Sequence, residues 1–279
     1  MLKLFGRTAV KFFNHESWPL FKEEPMKKNF LILWLIFVFS LPLCVYGLGL
    51  ELAVGGWQQN PKGDLSYDSI DIDNTIDLEQ DLDYEKENRI SGRLKLCLPV
   101  IPNIYLMATP MEFDEAGIKS VDFTFGDQSF QADIDFESKL ILNHIDVALF
   151  YALPFIPTAT NKVLNIEIGL NTRIIDFKVE IEQPETGLEE SEEYTVPIPM
   201  AYLAAQIIPF ERIALEAEAR GLTYSSNHIY SLIGRLKLKL FGPLFIAGGY
   251  RYDKIEIDEE DVEVDVCLSG PFVETGFQF

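Results

Sequence analysis

Pro271-Phe-Val-Glu-Thr-Gly-Phe-Gln-Phe279 is the stretch that decides the fold. Counting back from the end, Phe277, Thr275, Val273 and Pro271 fall on one face, and Gln278, Gly276, Glu274 and Phe272 on the other. A repeat of two is the signature of an extended strand, whose successive side chains point to opposite sides. The same repeat runs through most of the chain upstream.

In residues 49–58, Leu50, Leu52, Val54 and Gly56 alternate with Glu51, Ala53 and Gly55. In 88–98, Ile90, Gly92, Leu94, Leu96 and Leu98 alternate with Arg89, Ser91, Arg93, Lys95 and Cys97. Further strands are predicted over 104–125, 130–153, 163–181, 194–208, 213–224, 229–240 and 244–257, with the last closing at Phe279. That makes ten strands, and eight if the proline-bearing segments around Pro110, Pro197 and Pro199 drop out, since each proline removes a ladder donor. An even count with both ends on one side, short proline-containing reversals at one end and long acidic segments at the other predicts an all-β, closed, antiparallel up-and-down transmembrane barrel. The main rival is a soluble β-sandwich, which would bury the same apolar faces against a second sheet.

At the amino end, Lys27 and Lys28 precede an apolar run over 30–45, and Gly47 then introduces the alternating sequence. This is the arrangement of a secretory signal peptide cleaved after Gly47, with Val45 and Gly47 as the small residues read by the peptidase. Residues 1–47 are therefore read as a leader, with Met26 as an alternative start, and 48–279 as one barrel domain. An uncleaved helical anchor and a lipoprotein reading through Cys44 are the alternatives, the latter disfavoured by Leu43 where a small residue should stand.

The chain carries 23 Lys and Arg against 44 Asp and Glu, a net charge of −21 that deepens to −24 once the leader's six basic and three acidic residues are removed. Such an excess argues against nucleic acid, whose backbone requires clustered cations. No stretch after Val45 is apolar enough for a membrane-spanning helix, so a chain with 48% hydrophobic residues crosses a bilayer only as a closed barrel. Cys97 and Cys267 map about 40 Å apart along the strands at ordinary rise, well beyond the Cα separation of about 7 Å that a disulfide tolerates, and are predicted to be free thiols.

Several tetrapeptide-scale features then accumulate: Gly55-Gly-Trp57 with Pro61-Lys-Gly-Asp64, Leu98-Pro-Val-Ile-Pro-Asn103, Ile166-Glu-Ile-Gly-Leu170, Ile198-Pro-Met-Ala-Tyr202, Gly248-Gly-Tyr-Arg251, and Gly270-Pro-Phe272 with terminal Phe279. Together they resemble the Gly-Gly family of small bacterial outer-membrane β-barrel proteins. The resemblance implies an outer-membrane location, a Gram-negative envelope and no catalytic residues. Phe277 and Phe279 look like the terminal signal that such barrels present to the barrel-assembly machinery. The 25-residue preamble and the two thiols depart from the family pattern.

Candidate chemistry lies on the polar faces. Arg89, Arg93, Lys95, Arg173, Arg220, Arg235, Lys237, Lys239 and Arg251 stand against Glu51, Asp146, Glu167, Glu216, Glu218 and Glu274. Pointed into a narrow lumen, these charges are tolerable only when paired, which predicts an ion-pair network that plugs the barrel. A charge-lined, porin-like path for small solutes is the sharper alternative. His144 and Asp146 share a face and could orient an imidazole, and His228 falls near the outer end, so an outer-membrane hydrolase is a further alternative, although no nucleophile motif or paired metal-ligand histidines accompany them. No cofactor or metal site is predicted. The acidic stretches 64–87, 180–193 and 258–265 are read as solvated external loops, with Asp71-Ile-Asp73 and Asp258-Glu-Glu-Asp261 able to hold divalent cations that bridge to lipopolysaccharide phosphates. Outer-membrane lipid and lipopolysaccharide are thus the expected partners. Trp57, Tyr105, Tyr151, Tyr202, Tyr250 and Tyr252 are assigned to interfacial girdles.

Overall fold

The computed structural model describes residues 48–67, 76–79, 81, 84–99, 101–120, 122–125, 128–224, 227–259 and 262–279. The leader, Asp71 to Asp73, and Glu260 with Asp261 lie outside the described residues.

The barrel wall is formed by β1 (Gly49–Tyr67), β3 (Glu87–Cys97), β4 (Asn103–Thr109) continued by β5 (Glu112–Gly117), β8 (Phe136–Ala152), β9 (Leu164–Gln183), β10 (Leu188–Phe210), β11 (Ile213–Tyr224), β12 (Asn227–Lys239), β13 (Leu244–Glu259) and β14 (Val262–Gln278). Three short strands lie above it: β2 (Ile76–Asp77), β6 (Phe123–Phe125) and β7 (Gln128–Phe130). Each wall strand is antiparallel to its neighbours, and β14 pairs back onto β1 from Glu51↔Gln278 through Tyr67↔Val262. Counting β4 and β5 as one broken strand, the described residues form a closed ten-stranded antiparallel barrel with no second sheet packed against its outer face, which removes the sandwich. A short helix, α1 (Phe155–Ala159), makes one reversal at the end that carries Gly49 and Phe279.

The strand prolines are handled in two ways. Pro110 interrupts the expected strand over 104–125: with no N–H to donate, the ladder stops at Thr109, restarts at Glu112, and ends in a separate β6–β7 hairpin. Side chains bridge the break, Gln59 Nε2 donating to the Pro110 carbonyl at 2.7 Å and the Met111 N–H donating to Asn143 Oδ1 at 2.7 Å. Pro197 and Pro199 stay in strand because this part of β10 overhangs its neighbour: pairing with β9 runs from Leu188 to Ile207, whereas pairing with β11 begins only at Ala201. A missing donor on an unpartnered edge leaves no carbonyl unsatisfied.

Two of the three acidic segments are a correction. In 180–193, and in the described part of 258–265, the chain is not a loop for most of its length; the strands simply continue upward. Glu180 and Glu182 lie in β9, Glu189 through Glu193 in β10, and the two strands join through a tight turn at Gly187, whose φ of +70° is readily adopted by glycine. Asp64 belongs to β1, and β13 and β14 carry the ladder to Glu259 and Val262.

Burial alternates along the wall as the sequence does. Val54, Ile90, Leu149, Leu170, Leu203 and Val273 face outward, 51% to 74% exposed. An apolar surface that encircles the molecule in this way far exceeds the few hundred Å² that water-soluble monomers leave bare. Inside, an apolar cluster of Trp57, Met111, Phe113, Phe130, Phe136 and Leu140 fills the end away from the termini, and charged side chains fill the rest.

Candidate functional site

The lumen is a lattice of ion pairs built by the inward residues of eight strands. Arg93 of β3 lies 2.6 Å from Glu51 of β1 and donates to Glu274 of β14 from Nη2 at 2.7 Å and, through one bifurcated N–H, from Nε to both carboxylate oxygens. Lys237 of β12 reaches Glu51 at 2.9 Å and Glu216 at 2.5 Å. Arg235 pairs with Glu216 at 3.1 Å, with Glu218, and with Glu274 at 3.5 Å. Glu218 also takes Arg220 at 2.9 Å, and Lys95 pairs with Glu167 at 2.7 Å.

A second group lies further from the termini. Arg173 holds Asp146 with two bonds of 2.9 Å, and Asn171 Nδ2 donates to the same carboxylate at 2.7 Å. Arg251 holds Asp253, donates to Thr109 Oγ1 at 2.9 Å and lies 4.4 Å from the Trp57 ring centre.

These residues comprise seven cations and seven carboxylates: Arg93, Lys95, Arg173, Arg220, Arg235, Lys237 and Arg251 against Glu51, Asp146, Glu167, Glu216, Glu218, Asp253 and Glu274. The neutral balance is what makes the burial tolerable, because an unmatched ion in such a place costs several kcal/mol. Among the described residues, the side chains of this lattice are closely enclosed. Asp146 and Tyr105 are 0% exposed, and Arg173, Arg220, Lys237 and Tyr202 are 1% exposed. A water-filled path would leave surface on the side chains that line it. Among the described residues, the recess found here is small and lies at the end carrying the termini, between Gln206, Lys237 and Gln278.

Most of the residues singled out from sequence meet in this lattice. Arg89 does not; it sits at the β3–β5 gap, donates to the Glu112 carbonyl and lies 3.9 Å from Glu87. Lys239, at the end of β12, is exposed. Asp253 was missed, yet it lies two residues beyond Arg251 on the same face, so the repeat of two could have found it. Three of the girdle aromatics are corrected: Trp57, Tyr105 and Tyr202 are buried inside, sharing parity with Glu51, Lys95 and Arg220, and Arg220 lies 4.9 Å and 5.5 Å from the two tyrosine ring centres. Cation–π contact supplements the carboxylates around that guanidinium. Tyr151 and Tyr250 face outward. Cys97 and Cys267 are free thiols.

His144 is enclosed at 5% exposure. Its Nδ1 is 3.1 Å from the Leu142 carbonyl and its Nε2 3.1 Å from Arg251 Nη2, so Nδ1 carries the proton and Nε2 accepts. Asp146 lies 3.8 Å from that Nε2, beyond hydrogen-bond range. His228 stands at the start of β12, away from this lattice, where its Nδ1 contacts Thr223 Oγ1 at 3.3 Å.

One row beyond the border of the lipid-facing band, Asp64 stands opposite Asp265 on β14 and Asp77 on β2. Burial first, then these two carboxylates, raise its pKa above the usual value, while Lys254 acts in the opposite sense. A carboxyl whose folded pKa is raised costs stability at high pH, and the cost disappears as pH falls through that folded value. Asp64→Asn should therefore raise the urea unfolding midpoint at neutral pH, with the gain vanishing near about pH 3, below the ordinary carboxylate range.

No family model matches the chain, and no curated protein matches it. Among solved structures it is similar to the outer membrane protease OmpT from Escherichia coli, at 8% identity and TM-score 0.53, covering 86% of this chain and 99% of that one. It also aligns with the translocator domain of the autotransporter NalP from Neisseria meningitidis at 10% identity, TM-score 0.41 and coverages of 90% and 95%. Ail, the attachment invasion locus protein of Yersinia pestis, in complex with the heparin analogue sucrose octasulfate, aligns at 10% identity, TM-score 0.35 and coverages of 84% and 99%. At such identities the first likeness concerns fold alone, and the fold is that of outer-membrane β-barrels.

Proposed function

We propose that the protein is an integral outer-membrane β-barrel whose lumen is sealed, acting as a non-enzymatic structural or surface-interaction element of the cell envelope. The observation that carries this reading is the pairing of an encircling apolar outer face with an interior in which charges are matched and enclosed. A barrel built this way gains membrane residence from its outside and rigidity from its inside. The strands rising beyond the lipid-facing band, above all the glutamate-rich β9–β10 ribbon, would present a negatively charged surface to the exterior.

Purified chain added to a planar bilayer is expected to insert without unitary conductance steps, and discrete ohmic steps would restore the solute path. Fractionation tests location: recovery in detergent-insoluble outer membrane with heat-modifiable gel mobility supports the proposal, and recovery in the soluble periplasm removes it.

A further inference from the structure

The outward face of β12, β13, β14 and β1 can be read row by row, because paired residues stand side by side. Leu52 lies beside Phe277, then Val54 beside Thr275 and Ile246, then Gly56 beside Val273 and Gly248. Above these apolar rows come Tyr250 with Pro271, and then Leu232, Tyr252, Ser269 and Asn60. The next row is Tyr230, Lys254, Cys267 and Lys62, and above it stand His228, Glu256, Asp265 and Asp64.

Lys62 and Lys254 are the only Lys or Arg on this outward face among the described residues; the other cations of these strands, apart from Lys239 at the end of β12, all point into the lumen. Both fall in one row, on either side of β14. Two strand spacings separate their Cα atoms by about 10 Å, so both ammonium groups can converge on a group lying over Cys267. Lys254 lies ten residues above the start of β13 at Leu244, about 25 Å along the barrel axis at ordinary rise and tilt, which is the height of the apolar band of such barrels. The stacked rings of Tyr230 and Tyr252, 5.9 Å apart, lie at that same border.

We propose that this row is a docking site for a phosphate on the headgroup of an outer-leaflet glycolipid. Its acyl chains would lie along the apolar rows below, and the Ser269 and Tyr252 hydroxyls would meet the polar carbonyl region between. Lys62 contacts Glu79 at 2.8 Å in an exposed pair and Lys254 contacts Asp265 in a partly buried one, but an ammonium has three donors, and the exposed pair holds little free energy against a phosphate. The site rests on the outer-membrane reading, since the lipid must be there to bind.

The test uses the chain purified from membranes and placed in nanodiscs of phosphatidylcholine doped either with a phosphorylated glycolipid or with the same lipid dephosphorylated, with retained lipid read by native mass spectrometry. Wild type should retain the phosphorylated form preferentially. Lys62→Gln with Lys254→Gln should weaken that retention by about fivefold per lysine, about 30-fold for both, and Lys62→Arg with Lys254→Arg should keep it. Equal retention of the two lipids by an inserted wild type, or an unchanged preference in the double Gln variant, overturns the site while leaving the barrel reading intact. A wild-type chain that never acquires heat-modifiable mobility in the nanodisc sinks the outer-membrane reading itself.

Discussion

Arg173→Met is expected to destabilise the barrel by about 3–5 kcal/mol, because it strands the Asp146 carboxylate, 0% exposed, without the two charge-assisted bonds that hold it. Asn171 and its neighbours cannot replace a full charge. Asp146→Leu in the same chain should return most of the loss, since removing both partners of a buried pair in favour of packed apolar groups is often close to neutral. Urea titration of the folded fraction on semi-native gels measures both variants. If the double variant proves no more stable than the single one, the charges are doing something other than compensating each other, and the plug account fails.

Gly276→Ala should prevent the barrel from closing. A Cβ at this position would meet the Leu52 carbonyl oxygen at 2.0 Å, the Phe245 ring at 2.6 Å and the Ala53 Cα at 2.9 Å. Two of these atoms are backbone of β1, so relief requires β1 and β14 to separate and forfeit ladder bonds along the one seam that joins the two ends of the sheet. We expect a cost above about 4 kcal/mol, in the exceptional range for a single substitution, seen as loss of the heat-modifiable band. Gly56→Ala is the internal comparison: it lies on the same seam but faces outward, nothing lies within 4 Å of its Cβ position, and it should fold normally. A closed barrel from Gly276→Ala would mean that the seam is looser than its backbone contacts imply.

The strand alternation was legible because a barrel of this kind demands opposite chemistries on its two faces, and a repeat of two needs no knowledge of neighbours. The parity that sets Glu51, Arg93, Glu167 and Lys237 inward follows from it directly, as does the outward parity of Val54 and Val273. Trp57, Tyr105 and Tyr202 were misread because aromatic residues suit both an interfacial girdle and a cation-stacked interior, and composition cannot separate the two. The glutamate-rich segments were misread for a related reason: high charge predicts solvent contact, which a projecting ribbon provides as well as a loop does.

What the sequence determined by itself is the extended strand as the repeating element and the parity that divides charged from aliphatic side chains, since both are local consequences of how consecutive side chains point. Which cation meets which carboxylate is a tertiary matter. Arg93 and Glu274 are 181 residues apart, and Lys237 and Glu51 are 186 apart. They meet because the register of ten paired strands and the closure of β14 on β1 set their heights, and no local pattern encodes a height around a closed ring. The ion-pair lattice and the lysine row beside the tyrosines both depend on that register, because each is made of residues that become neighbours only across strands.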